Sequence, residues 1–328
     1  MLLTRISGST LTAVLVAWAL LLALAGGAYA GYPDRVIKIV VPFAPGGGTD
    51  VVARTLAHEM AKDLGVSVII ENKPGAGTII GTQSVATSDP DGYTLLMGTF
   101  ANAVNPSLYA KLPYDQHRDL APVALVARSF NIVVVNPASP IRSIADLIAA
   151  AKAEPDKLSY GTYGTGTSAH LAGELFKHMA GVNLTTVPYK GAAPAITDLI
   201  SGQIQVMFTT VASAASLIEG GQLRALAVTS AEPSPAFPDL PTVSEAGVPG
   251  YDAEAWYGLL APAKTPPEII DRLNKSAAIA VRSDAFKKLS VSEGLVLVAS
   301  QPGEFDRYFA IEEERWRKVI QGAGIKAE

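Results

Sequence analysis

The stretch RVIKIVVPF, residues 35–43, is an apolar run with little polar interruption, and it leads into APGGGTD. Such continuity suits a strand covered on both faces of a parallel sheet. A helical pattern, DVVARTLAHEMAKDLG, follows, with Asp50 as the expected N-cap and Gly65 as the stop. Between strand and helix lie three consecutive glycines, Gly46 to Gly48. Glycine loses more backbone entropy on folding than any other residue, so a run of it needs a local reason. One such reason is another group coming very close to the backbone.

The alternation continues. VSVIIEN reads as a second strand, KPGAGTIIGTQSVATS as a loop opening a second helix, DPDG as a turn and YTLLMGT as a third strand. This βαβαβ order argues for a parallel sheet with right-handed crossovers. The segment APVALVARSFNIVVVNP is strand-like but broken near Arg128 to Asn131, which reads as a passage between domains. A second α/β unit follows, with helices expected at about 143–153, 168–180 and 192–201 between the strands KLSYG, LTTVPY and IQVMF, and then LRALAVTS. Residues 231–250 are proline-rich and read as an ordered surface loop or linker. AWYGLLAP resumes as a strand, TPPEIIDRLNKSAAIAVRS as a helix with prolines in its first turn, and PGEFDRYFAIEEERWRKVIQ as a last helix. Its Phe305, Tyr308, Phe309 and Trp316 form a core-facing stripe. Two α/β lobes joined by two passages, near Phe130 and Asp252, make a hinge layout with a cleft between the lobes.

Residues 1–30 have the order of a secretory signal peptide: Arg5, an apolar run from Leu11 to about Ala25, then Ala28 and Ala30 flanking Tyr29. A membrane anchor is the alternative, but the run is short for a span and carries a cleavage site. Removing the signal leaves about 298 of the 328 residues, enough for two domains. With no cysteine there is neither a lipid-bearing residue nor a disulfide, so stability rests on core burial. A formal net charge of −4 and the lack of a Lys/Arg run exclude the usual balance of a nucleic-acid binder.

The glycine-rich loops are the candidate chemistry. At a strand-to-helix junction the first N–H groups of the helix lack partners and the peptide dipoles add partial positive charge. Together they hold an anion without a basic side chain. PFAPGGGTD and NKPGAGT are two such loops, and on adjacent parallel strands they converge on one crevice. GTYGTGTSAH and YKGAAPAITDL repeat the device in the second unit with hydroxyls added. A tight turn is the plain alternative for any one loop. Enzyme signatures are weak: GAGTIIG departs from dinucleotide spacing and follows the second strand, no G-x-S-x-G elbow is present, and no P-loop lysine follows the glycines. His58, His117, His170 and His178 show no metal-ligand pattern, and no catalytic residue, metal or cofactor is expected.

The runs YPDRVIKIVVPFAPGGGTDVVAR, NKPGAGTIIG, DPDGYTLLMGT, NPSLY, GTSAHLAGELFKHMAG, VPYKGAAPAITDLISGQIQVMF and LRALAVTS together resemble the Bug (TctC) family of periplasmic receptors of tripartite tricarboxylate transporters. The resemblance covers essentially the whole mature chain. It implies an α/β, type II periplasmic-binding-protein fold with a Venus-flytrap hinge: residues 31–130 plus 254–328 as lobe 1 and 131–253 as lobe 2. It implies a soluble periplasmic monomer that captures a small organic acid, such as a di- or tricarboxylate, an acidic amino acid or an aromatic acid, and delivers it to a membrane permease. A secreted α/β enzyme acting on a small carboxylate, or a sensor receptor for one, remains the alternative. Carried over onto this sequence, the first-loop contacts fall on Phe43, Ala44, Pro45, Gly46, Gly47 and Thr49, and the second-loop contacts on Gly75, Ala76, Gly77 and Thr78. The second lobe offers Thr162, Ser168, Tyr189 and Ala192. Thr209 stands where the family commonly has Asp, which makes a ligand ammonium less expected, and Thr78 stands where Gly is frequent.

Overall fold

A computed structural model describes residues 31–234 and 236–325, so the expected export signal lies outside the described residues. The first unit runs β1 (Ile37–Val41), α1 (Gly48–Leu64), β2 (Val68–Asn72), α2 (Ile79–Ala86) and β3 (Thr94–Thr99). As the alternation predicts, β1 pairs in parallel with both β2 and β3. Two short helices follow, α3 (Phe100–Leu108) and α4 (Gln116–Asp119). The helix α3 was not legible in NPSLY because Pro106 lies inside it and polar asparagines mask its apolar face.

The strand-like segment broken at Arg128 is one continuous strand, β4 (Leu120–Val135). Beyond it come α5 (Ile144–Ala153), β5 (Ser159–Thr162), α6 (Ser168–Ala180), β6 (Thr185–Pro188), α7 (Ala192–Ile200), β7 (Val206–Thr210), α8 (Val211–Glu219) and β8 (Arg224–Val228). The chain then returns through β9 (Glu254–Pro262), α9 (Pro267–Val281), α10 (Asp284–Glu293), β10 (Val296–Leu297) and α11 (Pro302–Ala323). The sheet order is β2-β1-β3-β9-β4-β7-β5-β6, with β8 and β10 also paired to β4.

Helices cover both faces, which is why the strands read as nearly unbroken apolar runs. Ile132 and Val134 of β4 join one core, and Val133 and Val135 the other. The aromatic stripe of α11 is core-facing as expected: Phe305, Phe309 and Trp316 are buried and pack around Trp256 and Phe100.

β4 changes partners within its length. Residues Leu120 to Phe130 run antiparallel to β9, and Asn131 to Val135 run antiparallel to β7. The two passages between the units meet at Thr229. Its hydroxyl accepts the Asn131 N–H at 2.8 Å and donates to the Ala253 carbonyl at 2.7 Å. Its own N–H donates to the Asn131 carbonyl at 2.8 Å, and the Ala253 N–H donates to the Thr229 carbonyl at 2.8 Å. Around this knot Arg128 faces Glu254 at 3.5 Å, and Arg315 of α11 reaches Asp252 at 2.7 Å and Glu312 at 3.3 Å. Burial pushes the Glu254 and Glu312 carboxyls up, against the pull of Arg128 and Arg315.

Thr229 is fully buried, so its hydroxyl bonds have no replacement from water. Thr229→Val keeps the shape but strands one N–H and one carbonyl. It should lower the unfolding free energy by about 1–3 kcal/mol, read from the midpoint of a urea titration.

Candidate functional site

Five helices begin just past the carboxyl ends of β1, β3, β5, β6 and β7, and their first turns line one inner cavity from two sides. Gly47 to Thr49 bring the start of α1, Thr99 and Phe100 that of α3, Thr167 and Ser168 that of α6, Ala192 that of α7, and Thr210 and Ser213 that of α8. β9 supplies Ala255, Trp256 and Tyr257, and Phe43 and Tyr163 complete the wall. The cavity holds about 450 Å³ of space free of atoms, part of it open to solvent. Among the described residues, no Asp, Glu, Lys, Arg or His lines it. Its polarity comes from hydroxyls and from the partly positive ends of helices, an arrangement that suits an anion.

The glycine run now has its reason. Gly46 sits at φ +88°, in the left-handed region. A Cβ on Gly48 would lie 2.6 Å from the Thr210 hydroxyl oxygen and 2.9 Å from the Ala212 Cβ, so the second unit comes too close for a side chain. Gly47 is not forced in this way: a Cβ there would meet Ala192 at 3.6 Å, an ordinary contact.

Asp50 corrects one expectation. The N-cap of α1 is Gly47, and Asp50 lies in the first turn. Its carboxylate accepts the Gly46 N–H at 3.0 Å, pairs with Arg54 at 2.8 Å, and accepts from the Asn72 amide at 2.9 Å. Asn72 also donates to the Phe43 carbonyl at 3.0 Å. Asp50 therefore frames the first loop from behind. Burial alone would raise its carboxyl, but the hydrogen bonds from Arg54, Asn72 and Gly46 outweigh it and hold it below the usual range.

The second loop does not share the inner cavity. Gly75, Ala76, Gly77 and Thr78 line an outer cavity of about 870 Å³, again partly open, with Tyr109, Tyr189 and Lys190. Phe43 and Tyr163 wall both cavities. Loop 75–78 has positive φ at every residue, including Ala76 at 45° and Thr78 at 81°, a strained run for non-glycine residues. The Asn105 amide steadies it, donating to the Gly77 carbonyl at 3.1 Å and the Thr78 hydroxyl at 3.3 Å. Glycine at 77 is required, since a Cβ would collide with the Thr165 carbonyl.

The remaining expected positions sort by what they touch. Thr49, Ser168 and Ala192 line the inner cavity, and Tyr189 the outer one. The Tyr189 hydroxyl donates to Asp198 at 2.6 Å, and burial together with that carboxylate pushes it up to about 12. The Ala44 N–H donates to the Lys190 carbonyl at 3.3 Å, a backbone bond between the units, while Ala44, Pro45 and Gly46 lie off both cavity linings. Thr162 is fully buried, its hydroxyl accepting the Gly164 N–H at 3.2 Å. Thr209 is also fully buried, behind the wall, where its hydroxyl accepts from Tyr163 at 3.0 Å. His170 accepts the Gly166 N–H at 3.3 Å and so braces the third glycine loop.

Residue patterns did not single out Thr99, Phe100, Tyr163, Thr167, Thr210, Ser213 or the β9 trio. Tyr163 and Thr167 stood inside the quoted GTYGTGTSAH loop, and Ser213 three residues past the end of a strand. Among the described residues, no three His, Asp or Glu are grouped to hold a metal, and no helix is long and apolar enough to cross a membrane.

Comparisons with known proteins bear on the fold and the family. The family model described as "Tripartite tricarboxylate transporter family receptor" matches residues 52–325. Protein BugT of Bordetella pertussis is 38% identical over 297 residues, covering 90% of this chain and 91% of the relative. The solved structure of R. palustris Rpa4515 with adipate is 38% identical with a TM-score of 0.87, over 90% of this chain and 99% of that one. MatC from Rhodopseudomonas palustris with bound malate is 32% identical with a TM-score of 0.84, over 88% of this chain and all of that one, 100%.

The Asp50 cluster gives a testable consequence. Because the folded-state pKa is depressed, its contribution is full above the unfolded value near 4 and is lost as pH falls through the folded value. Asp50→Asn should cost about 1–3 kcal/mol at neutral pH, and the gap to wild type should narrow below about pH 4, measured by urea unfolding across that range.

Proposed function

The chain belongs to the tripartite tricarboxylate transporter receptor family, and from that premise we propose that its cleft captures a small organic acid for uptake. It is a periplasmic solute-binding protein with two α/β lobes. The single observation that carries the ligand class is the inner cavity, where five helix starts converge and, among the described residues, no charged side chain intrudes. A carboxylate is the group such a site suits. Each N–H bond to a charged oxygen is worth about 1.5–3 kcal/mol, and a handful exceed the several kcal/mol that association costs. Rpa4515 is solved with adipate and MatC with bound malate, both small organic acids.

In this reading one carboxylate sits in the inner cavity against Gly47, Thr49, Ser168 and Ala192, and the body of the acid extends past Phe43 and Tyr163 toward Gly75–Thr78 and Tyr189. Contacts from both lobes favour the closed state by their difference between open and closed forms. The lobes divide at residues 130/131 and 253/254, a proposal supported by the partner change of β4 at that point. The protein acts as a monomer in the periplasm and hands its acid to a membrane permease of the same transporter class. It releases the acid unchanged, so turnover of a bound acid by the purified protein would overturn the receptor reading.

A thermal-shift screen over mono-, di- and tricarboxylates and their neutral amides tests the ligand class. An acid at a hundred times its dissociation constant should add about 2.7 kcal/mol of stability, and neutral analogues should add far less. Gly47→Val places two methyl groups toward Ala192 and the inner cavity. It should weaken acid binding at least about tenfold in calorimetry with little change in the urea midpoint, and wild-type affinity in this variant would displace the proposed site.

A further inference from the structure

The first N–H of α1 does not point into empty space. The Gly48 N–H donates to the Ser213 hydroxyl oxygen at 2.9 Å, linking the start of α1 in one lobe to the first turn of α8 in the other. Ser213 in turn lies 2.9 Å from the Thr210 hydroxyl, and either can be the donor. All three residues line the inner cavity.

We propose that Ser213 is a specificity-determining residue whose hydroxyl keeps the Gly48 N–H as acceptor and gives its own proton to an acceptor oxygen of the bound acid. The inference rests on the carboxylate reading above and deepens it by assigning a residue that no sequence pattern singled out.

The hydroxyl inventory supports this. A serine hydroxyl has one proton and two acceptor lone pairs. When Thr210 donates to Ser213, the Gly48 N–H and the Thr210 proton fill both lone pairs. The Ser213 proton is then the group left to give, and the cavity is where an acceptor can receive it. The pair is held in place: the Thr210 N–H donates to the Tyr163 hydroxyl at 2.6 Å, and Tyr163 donates to Thr209 at 3.0 Å. Ser213 also sits in the first turn of α8, so the helix dipole strengthens the donor. The consequence is chemical selectivity. An oxygen that accepts, as in a carboxylate, meets a donor here, whereas an ammonium meets a hydroxyl with no lone pair to offer. One side chain thus reads the ligand and ties the lobes together.

Calorimetry with adipate, malate and benzoate on the mature protein tests this, using Ser213→Ala, Ser213→Thr, Thr210→Val and the Thr210→Val/Ser213→Ala double variant. For the tightest of the three acids, Ser213→Ala should bind about tenfold or more weakly and Ser213→Thr within about threefold of wild type. Thr210→Val should weaken binding less than Ser213→Ala, and should add nothing in the Ser213→Ala background, as expected if Thr210 acts only through the Ser213 hydroxyl. The ligand-free urea unfolding curves serve as the folding control: Ser213→Ala strands the Gly48 N–H and should lower the midpoint modestly, with a single cooperative transition retained, while Ser213→Thr should keep the wild-type midpoint. An Ala variant that binds like wild type, or a Thr variant as weak as the Ala variant, overturns the inference and leaves the receptor reading in place. Absence of binding by wild type to any of these acids overturns the carboxylate reading and the inference with it.

Discussion

Like-signed helix ends facing one another across a small cavity are the constraint from which the rest of the structure follows. The starts of α1 and α3 in one lobe and of α6, α7 and α8 in the other all carry partial positive charge and N–H groups without partners in their own helices. Brought together in a space of low polarity they repel, so closure without an anion has to be supported by neutral acceptors. The chain supplies them sparingly: the Ser213 hydroxyl for Gly48, the Thr167 hydroxyl for the His170 N–H, and the Tyr163 hydroxyl for the Thr210 N–H. A carboxylate does the same task with full charge, and that difference is what binding energy can draw on to close the cleft.

The absence of charged side chains from the inner cavity follows from the same physics. A buried arginine would need its own desolvation to be offset, and it would hold one anion geometry. Backbone N–H groups are already desolvated by folding and impose little on the shape of the acid. Several ionic groups stand behind the inner cavity instead. Asp50, Arg54 and Asn72 set the first loop, and Arg128, Glu254, Arg315, Asp252 and Glu312 surround the passages between the lobes. Thr229 is the point where those passages touch, joined by one buried hydroxyl and two backbone bonds.

Much of the fold was legible because its signals are local. The apolar run at residues 35–43, the glycine stop at Gly65, and the helices expected at about 143–153 and 168–180 mark elements whose boundaries lie within a residue or two of expectation. Where a local signal conflicted with context it failed. Asp50 looks like an N-cap, but glycine at 47 starts the helix and the carboxylate turns back to Gly46 and Arg54. Arg128 to Asn131 looks like a break, yet the backbone is continuous there, and it is where β4 exchanges its antiparallel pairing with β9 for pairing with β7.

By itself the sequence determined the strand-to-helix alternation, the glycine-rich loops that make helix starts into anion sites, and the family pattern, because these depend on neighbours a few residues apart. Only the tertiary structure decided which loops share a cavity. It separated loop 75–78 from loop 43–49 by Phe43 and Tyr163, placed Thr209 behind the wall, and brought Ser213 to Gly48 across 165 residues of chain. Those outcomes depend on contacts between residues far apart in the chain, which no stretch of residues contains on its own.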